Sequence, residues 1–259
     1  MSTINQTDIV KDQYKSASNL NTRISIHEKY STNKLGFGNW IFSNYCIEDG
    51  SRILELGCGT GDMWTHRDEA VSKVSRWVMS DFSEGMLDTA KKNLRQYEKI
   101  EYKVIDIQDI PFEQDSFDIV IANMMLYHVP DIEKGLREVR RVLKDGGIFY
   151  CATYGEHGII EYLSGILSTY GMEDRTNKNF TLQNGENILK HSFNQVRQLK
   201  YDDSLAVTNV DDLVDYLYSL TSMTSLNQVH RDDIHKALTE RMENGVLNVP
   251  KEYGMFVCQ

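Results

Sequence analysis

The sequence contains little proline, few cysteines and no long run of apolar residues. There are 3 prolines and 4 cysteines in 259 residues, and the mean hydropathy is -0.45. Without a stretch rich in Pro or Ser, nothing marks a linker between domains. A membrane-spanning helix needs about 20 consecutive apolar residues. We therefore expect a soluble protein with no membrane partner.

The cysteines and the N-terminal residues indicate the cellular compartment. Cysteines at positions 46, 58, 151 and 258 show no CxxC spacing and no histidine at the spacing of a metal ligand. They predict neither a disulfide framework nor a metal site. The N-terminal stretch MSTINQTDIVKDQYK carries charges where a signal peptide would be apolar, so a cytoplasmic location is expected.

The sequence also has fewer basic than acidic residues. The chain has 28 Lys and Arg residues against 38 Asp and Glu residues, for a net charge of -10. Proteins that bind nucleic acids usually carry a basic face. We therefore expect no nucleic-acid partner, and a small-molecule substrate fits the composition better.

Apolar runs that suit buried strands alternate with helical patterns along the chain. The predicted strands cover residues 52–56, 77–80, 101–105, 117–122, 148–153, 193–201 and 253–258. The predicted helices cover residues 83–97, 131–144, 159–170, 186–191, 211–221 and 232–242. This alternation is typical of an α/β fold with a mostly parallel sheet. The last two strands are expected to pair antiparallel at one edge.

The stretch ILELGCGTGD, residues 53–62, places three glycines behind a carboxylate. Gly57, Gly59 and Gly61 stand where the first strand gives way to a helix, and glycine lets a ligand press against the backbone there. Their GxGxG spacing differs from the GxGxxG of dinucleotide-binding proteins. Glu55 would repel a pyrophosphate and suits a cationic ligand.

Polar residues also follow the next three predicted strands. Asp81 ends the second strand, Asp106 follows the third, and Asn123 follows the fourth. In open α/β sheets the carboxyl ends of the strands line a common ligand crevice. Asp81 is placed there to accept two charge-assisted hydrogen bonds from a ribose diol.

In order and spacing, the segments ELGCGTG, SDFSEGML, IDIQDIPFEQDSFDIVIANMMLYHV and RVLKDGG resemble the class I S-adenosylmethionine-dependent methyltransferases of the small-molecule branch. The resemblance covers about residues 50–153. It implies a Rossmann-like, seven-stranded, mostly parallel sheet with helices on both faces, one antiparallel edge strand and helical caps at both termini. It also implies S-adenosylmethionine as cofactor and methyl transfer to nitrogen, oxygen or carbon of a small, apolar or ring-bearing molecule, with release of S-adenosylhomocysteine.

The resemblance further implies a cofactor site at the ends of the first four strands. The methionine part would contact Glu55, Gly57, Gly59, Gly61 and the backbone carbonyl of Asn123. The adenosine part would contact Asp81, Phe82, Met86, Asp106 and the backbone N–H of Ile107. Core packing remains an alternative role for Met86, and a turn remains one for Asp106.

The N-terminal segment and the histidines contain the remaining candidates for cofactor-binding and catalytic residues. By resemblance, Tyr14 would fold over the cofactor next to the reacting methyl group, and Arg23 would bind the methionine carboxylate. His128, just past the fourth strand, is the first candidate for a general base, with His157 and His27 as alternatives. Amine acceptors need little help from a base, so N-, O- and C-methylation all stay open.

The expected organisation is one main domain with appended elements. Residues 1–48 would form a helical lid, residues 49–155 the cofactor-binding core, and residues 156–259 the cap helices and final antiparallel strands. Two other functions stay open: a catalytically silent S-adenosylmethionine-binding regulatory protein, and a nicotinamide-dependent oxidoreductase. Monomer and homodimer also both stay open.

Overall fold

The computed structural model describes residues 17–220 and 229–259. Its strands are β1 (Arg52–Leu56), β2 (Arg76–Asp81), β3 (Ile100–Val104), β4 (Phe117–Ile121), β5 (Leu143–Tyr154), β6 (Val196–Tyr201), β7 (Ser204–Val207), β8 (Leu247–Pro250) and β9 (Tyr253–Cys258). Its α-helices are α1 (Ala17–Tyr30), α2 (Phe37–Ser43), α3 (Asp68–Lys73), α4 (Glu84–Asn93), α5 (Ile132–Val142), α6 (Ile159–Leu167), α7 (Gly185–Leu189), α8 (Val210–Ser219) and α9 (Arg231–Thr239). Short 3-10 turns cover Asp62–Trp64, Leu126–His128 and Ser168–Tyr170.

The main sheet has seven strands in the order β3-β2-β1-β4-β5-β9-β6. β1 lies between β2 and β4 and is parallel to both, with Leu54 opposite Val78 and Val120. The carboxyl ends of β1 to β4 therefore meet at one edge of the sheet, where the glycine turn begins.

The reversed strand is β9. Gln195, just before β6, and Gln259, just after β9, exchange both backbone hydrogen bonds, which is an antiparallel pattern. The predicted seven-stranded, mostly parallel sheet is confirmed, with the reversed strand one position inside the edge. β9 is mostly buried, which suits a strand inside the sheet. β6 is charged and partly exposed, which is typical of an edge strand.

A second, two-stranded sheet was not predicted. β7 and β8 pair antiparallel, with Leu205 opposite Val249. The sequence prediction assigned only helices to the chain between residues 202 and 252. Both strands have four residues, too few for an alternating pattern to stand out, and Pro250 discourages a strand assignment.

The helices that cover the sheet form for the reasons the sequence suggests. The Ser83 hydroxyl caps α4 by accepting a hydrogen bond from the backbone N–H of Met86, and the helix buries Leu87 and Ala90. α4 ends at Asn93, four residues before the predicted end. No helix among the described residues has the length and apolar character needed to cross a bilayer.

The chain divides into two compact units. The sheet unit comprises residues 38–153, 179–199 and 254–259, and the strands around Leu54 and Val120 form its core. The helical unit comprises the described residues among 1–37, 154–178 and 200–253. Its core joins α1, α6, α8, α9 and the two-stranded sheet through buried residues such as Ile26, Leu163 and Leu213.

Candidate functional site

The glycine turn after β1 adopts a conformation that suits glycine at three positions. Gly57, Gly59 and Gly61 have φ of 68°, 57° and 73°, a region that other residues rarely adopt. A Cβ on Gly57 would lie 2.9 Å from Met125, and one on Gly61 would lie 2.8 Å from Leu94. A Cβ on Gly59 would meet nothing within 4 Å. Gly59 is therefore the glycine whose bare backbone faces open space.

Asp81, at the end of β2, ties the glycine turn to the start of α4. Its Oδ2 accepts the backbone N–H of Gly59 at 2.9 Å, and its Oδ1 accepts that of Ser83 at 2.8 Å. A carboxylate offers about four lone-pair positions, so Asp81 retains acceptor capacity for a ligand beside these backbone donors. Burial raises the pKa of Asp81, and the backbone N–H groups of Ser83, Gly59 and Phe82 oppose that rise.

Glu55 is a buried carboxylate on β1, with 4% of its surface exposed. It accepts a hydrogen bond from the indole Nε1–H of Trp64 at 2.6 Å. Burial raises the pKa of Glu55 to about 7, the bond from Trp64 lowers it, and the carboxylate of Asp81 raises it further. A cation beside Glu55 would offset this cost of ionisation.

Asn123, just past β4, faces a cluster of side chains at the same sheet edge. Its Nδ2 donates a hydrogen bond to the Tyr45 hydroxyl at 2.6 Å, and that hydroxyl donates to the Met63 sulfur at 3.5 Å. The charge of Glu55 acts on Tyr45, which places the two groups near each other. The Oδ1 of Asn123 is buried and accepts no hydrogen bond from any described residue. A buried acceptor of this kind calls for a donor.

The backbone beside Asn123 is strained. Met124 has a φ of 53°, in the left-handed region, although it is not a glycine. Such strain costs about 1–3 kcal/mol and clusters at functional sites. It supports a ligand-binding role for this end of β4.

Together these groups fit a ligand with a cationic amino end and a diol. Glu55 and the Oδ1 of Asn123, which no described residue bonds, provide acceptors for an ammonium group. Asp81 retains acceptor capacity for hydroxyls, and a Cβ on Gly59 would meet nothing within 4 Å, so its backbone is open to a ligand. The cofactor that the resemblance implies has this chemistry, so the residues present fit it.

The other residues that the resemblance assigns to the adenosine part of the cofactor differ in their exposure and contacts. Phe82 is 38% exposed and Met86 is half-buried, whereas Ile107 is buried against Gly135. The carboxylate of Asp106 accepts hydrogen bonds from the backbone N–H of Gln108 at 2.8 Å and from its side-chain amide. Asp106 thus forms the turn that the sequence left as its alternative role.

The remaining candidates are not all in one unit. His128 lies in the 3-10 turn after β4, in the sheet unit, and burial lowers its pKa to about 4. Its imidazole is therefore neutral at neutral pH and a weak base. Arg23 and His27 belong to the helical unit, as does the exposed His157. Tyr14 lies outside the described residues.

Sequence reasoning missed several residues that shape this site. Tyr45 and Met63 contact Asn123, and Trp64 holds Glu55 in place. Tyr102 on β3 was also missed: burial raises its pKa to about 12, and its hydroxyl is buried without a hydrogen bond to a described residue. The one sequence signal available was the position of Trp64, directly behind the glycine turn.

Comparison with known proteins finds a family match within the sheet unit. Residues 54–151 match the methyltransferase domain family. These residues form a methyltransferase domain. The prediction of a class I S-adenosylmethionine-dependent methyltransferase is confirmed for this part of the chain, and S-adenosylmethionine is the cofactor of such a domain.

The relatives agree with this assignment. This chain is 36% identical over 111 residues to a demethylmenaquinone methyltransferase of Staphylococcus epidermidis, in an alignment that covers 43% of this chain and 46% of that protein. A demethylmenaquinone methyltransferase of Staphylococcus aureus is also 36% identical, over 105 residues, which are 40% of this chain and 44% of that protein. The matched part is thus less than half the length of these relatives.

Solved structures share the fold over more of the chain. The [4+2]-cyclase SpnF is similar with a TM-score of 0.60 and 15% identity, over 98% of this chain and 96% of that chain. The YcgJ protein of Bacillus subtilis gives a TM-score of 0.53 and 19% identity, over 85% and 95% of the two chains. At such low identity the structural similarity shows the fold alone, and one fold hosts more than one function.

Proposed function

We propose that this chain transfers the methyl group of S-adenosylmethionine to a small molecule. The observation that carries the proposal is the arrangement around the glycine turn. Glu55 and the Oδ1 of Asn123, which accepts no hydrogen bond from a described residue, provide acceptors, and Asp81 at the end of β2 bonds the backbone N–H of Gly59 and has further acceptor capacity. This pattern matches the cationic amino end and the ribose diol of one cofactor.

Each of these residues is proposed to bind a different part of the cofactor. Glu55 and Asn123 bind the amino group, Asp81 binds the ribose hydroxyls, and Gly59 leaves its backbone open to the chain between them. Phe82 and Met86 flank the adenine. When bound, the sulfonium supplies a methyl group that is already activated for attack. The protein then has to orient an acceptor and exclude water, and such positioning contributes several kcal/mol, roughly up to 10.

The acceptor is proposed to be small and ring-bearing. The two Staphylococcus relatives are named for methylation of demethylmenaquinone, which supports this class. His128 is neutral, so it is able to take a proton from a hydroxyl, but its pKa of about 4 makes it inefficient at neutral pH. An acceptor that needs little general-base catalysis, such as an amine, therefore suits this site.

A pair of titrations tests the cofactor assignment. S-adenosylhomocysteine and NADH are each titrated calorimetrically into the wild-type protein and into Asp81→Ala. We expect the wild type to bind S-adenosylhomocysteine and not NADH. Asp81→Ala should lose about 1–3 kcal/mol of binding free energy, because charge-assisted hydrogen bonds are lost. Binding of NADH alone would instead support the oxidoreductase alternative.

Turnover needs a separate assay. The wild-type protein is incubated with methyl-labelled S-adenosylmethionine and a library of small amines, phenols and carboxylic acids, and labelled products are counted. Transfer to a library member supports an enzyme. Tight cofactor binding without transfer to any member would favour the regulatory alternative.

A further inference from the structure

The side-chain amide of Asn123 is held by two other side chains of the sheet unit. Its Nδ2 donates a hydrogen bond to the Tyr45 hydroxyl at 2.6 Å and another to the sulfur of Met63 at 3.8 Å. Tyr45 follows α2, and Met63 lies in the 3-10 turn directly behind the glycine turn. Both bonds come from the nitrogen end of the amide. The oxygen end, Oδ1, is buried and accepts no hydrogen bond from a described residue.

The sulfur of Met63 sets the direction of these hydrogen bonds. A thioether has no hydrogen to donate and acts only as a weak acceptor. The Tyr45 hydroxyl donates its one hydrogen to this sulfur at 3.5 Å, so its oxygen is left to accept from Asn123. Turning the amide by 180° would put Oδ1 where Nδ2 now meets the sulfur, which would bring two acceptors together. The contacts therefore favour the nitrogen of Asn123 on this side.

This pattern requires that Tyr45 keep its proton. Burial raises the pKa of Tyr45, the charge of Glu55 raises it further, and the hydrogen bond from Asn123 opposes that rise. Nearby Tyr150 and Cys151 add to the rise. The phenol is therefore neutral at neutral pH and retains the hydrogen that it donates.

Tyr45 also packs against the residue that holds Glu55. The rings of Tyr45 and Trp64 are stacked, with centroids 5.9 Å apart and an interplanar angle of 22°. The indole of Trp64 is fully buried and donates the hydrogen bond to Glu55. Tyr45 is thus in contact with Asn123 and with the support of Glu55, and these are the two side chains proposed to bind the amino group.

We infer that Tyr45 is a positioning residue for the amino group of the cofactor, an inference that rests on the proposed function. Its hydroxyl holds Asn123 so that Oδ1, rather than the NH2 group, meets the ammonium beside Glu55. An amide oxygen accepts hydrogen bonds from an ammonium group, whereas an amide NH2 group is itself a donor and offers no acceptor. The side-chain oxygen is thus an acceptor in addition to the backbone carbonyl that the resemblance assigned, and Tyr45 selects it.

The test compares two ligands that differ only in the amino group. They are S-adenosylhomocysteine and its analogue in which a hydrogen atom replaces the amino group, and calorimetry measures the affinity for each. The proteins are the wild type, Tyr45→Phe, Asn123→Ala, the double variant of these two, and Met63→Leu. Thermal unfolding of each variant shows whether it folds.

The matched control is Tyr150→Phe. The ring of Tyr150 packs against that of Tyr45, with centroids 4.9 Å apart, so the two variants remove a hydroxyl from the same aromatic cluster. The hydroxyl of Tyr150 accepts a hydrogen bond from the backbone N–H of Cys46 at 2.9 Å and has no assigned role in binding the amino group.

We expect the wild type to bind S-adenosylhomocysteine about tenfold or more tightly than the analogue, the size expected for hydrogen bonds to a charged group. Tyr45→Phe should reduce this preference by about threefold or more and leave the affinity for the analogue unchanged, because only the orientation of the Asn123 amide is lost. Met63→Leu should reduce the preference in the same direction, and Tyr150→Phe should keep it. Because Tyr45 acts through Asn123, the double variant should lose no more of the preference than Asn123→Ala alone.

The inference is overturned if Tyr45→Phe weakens the binding of both ligands equally, since the hydroxyl would then have only a structural role. It is also overturned if the losses add up in the double variant, or if the wild type binds the two ligands equally. If Tyr45→Phe does not fold, a reduced preference in Met63→Leu supports the inference and an unchanged one overturns it. Failure of the wild type to bind S-adenosylhomocysteine would instead overturn the proposed function.

Discussion

The carboxylate of Glu55 and the indole of Trp64 form a buried hydrogen bond of 2.6 Å at the end of the first strand. The bond fixes the direction of the carboxylate, but it does not cancel the cost of burying the charge. As a result, the pKa of Glu55 rises to about 7. The side chain is thus poised to ionise when a cation arrives.

The first prediction concerns stability and pH. The pKa of Glu55 is raised in the folded state, so its stabilising contribution is complete below the unfolded value of 4.5 and is lost as pH rises through about 7. Glu55→Gln keeps an acceptor for Trp64 and removes the titration. Between pH 5 and pH 8 the wild type should lose on the order of 3 kcal/mol more unfolding free energy than Glu55→Gln.

Urea unfolding of both proteins at the two pH values checks this prediction. The control is Glu98→Gln, which changes an exposed glutamate and should follow the wild type. Equal pH dependence in the wild type and Glu55→Gln would show that Glu55 does not titrate near neutral pH.

The second prediction concerns protons released on cofactor binding. If the ammonium group of S-adenosylhomocysteine lies beside Glu55, binding ionises the carboxyl and releases up to one proton below pH 7. The affinity should therefore rise with pH, by at most about tenfold per unit, and level off above about pH 7. Calorimetry at pH 6.5 in phosphate and in imidazole buffers, which differ in ionisation enthalpy, measures the released protons. Glu55→Gln should bind more weakly and release none.

The third prediction separates two glycines of the same turn. Alanine at either position adopts an unfavourable positive φ, at a cost of about 1 kcal/mol. Gly61→Ala also collides with Leu94, so it should lose about 1–3 kcal/mol more stability than Gly59→Ala. Gly59→Ala places its methyl group in open space and should mainly weaken S-adenosylhomocysteine binding. Urea unfolding and calorimetry measure the two effects, and the reverse ranking of stabilities would contradict the geometry.

The fourth prediction concerns the helical unit. Lys251→Met leaves the buried carboxylate of Asp203 without its partner and should cost about 3–5 kcal/mol. Adding Asp203→Asn should restore part of that loss, because the amide oxygen still accepts the backbone N–H groups of Asn33 and Ser204. As a control, Lys91→Met disrupts an exposed pair with Asp88 and should cost less than about 1 kcal/mol. A double variant as unstable as the single one would argue against charge burial as the cause.

Much of the sheet could be predicted from the sequence because its signals are local. Buried parallel strands appear as short apolar runs, and the first helix after β2 carries its own cap at Ser83. The carboxyl ends of the strands then place Glu55, Asp81 and Asn123 at one edge without further information. The order of the last strands was harder to predict, because β9, the final strand of the chain, lies between β5 and β6 in the sheet.

The details of the site could not be predicted, because they depend on contacts between distant residues. Tyr45 and Asn123 are 78 residues apart, and no periodicity in either segment indicates their hydrogen bond. The pairing of Asp203 with Lys251 spans 48 residues and joins two positions that lie outside the helices and strands predicted from the sequence. The turn at Asp106 was foreseen as an alternative because its partner, Gln108, is two residues away.

The most direct test of the central claim is a crystal structure of this chain with S-adenosylhomocysteine bound. The ribose hydroxyls should lie within hydrogen-bond distance of Asp81. The amino group should lie against Glu55 and the Oδ1 of Asn123, with the methionine chain crossing Gly59. A nucleoside bound elsewhere, or a ribose turned away from Asp81, would contradict it.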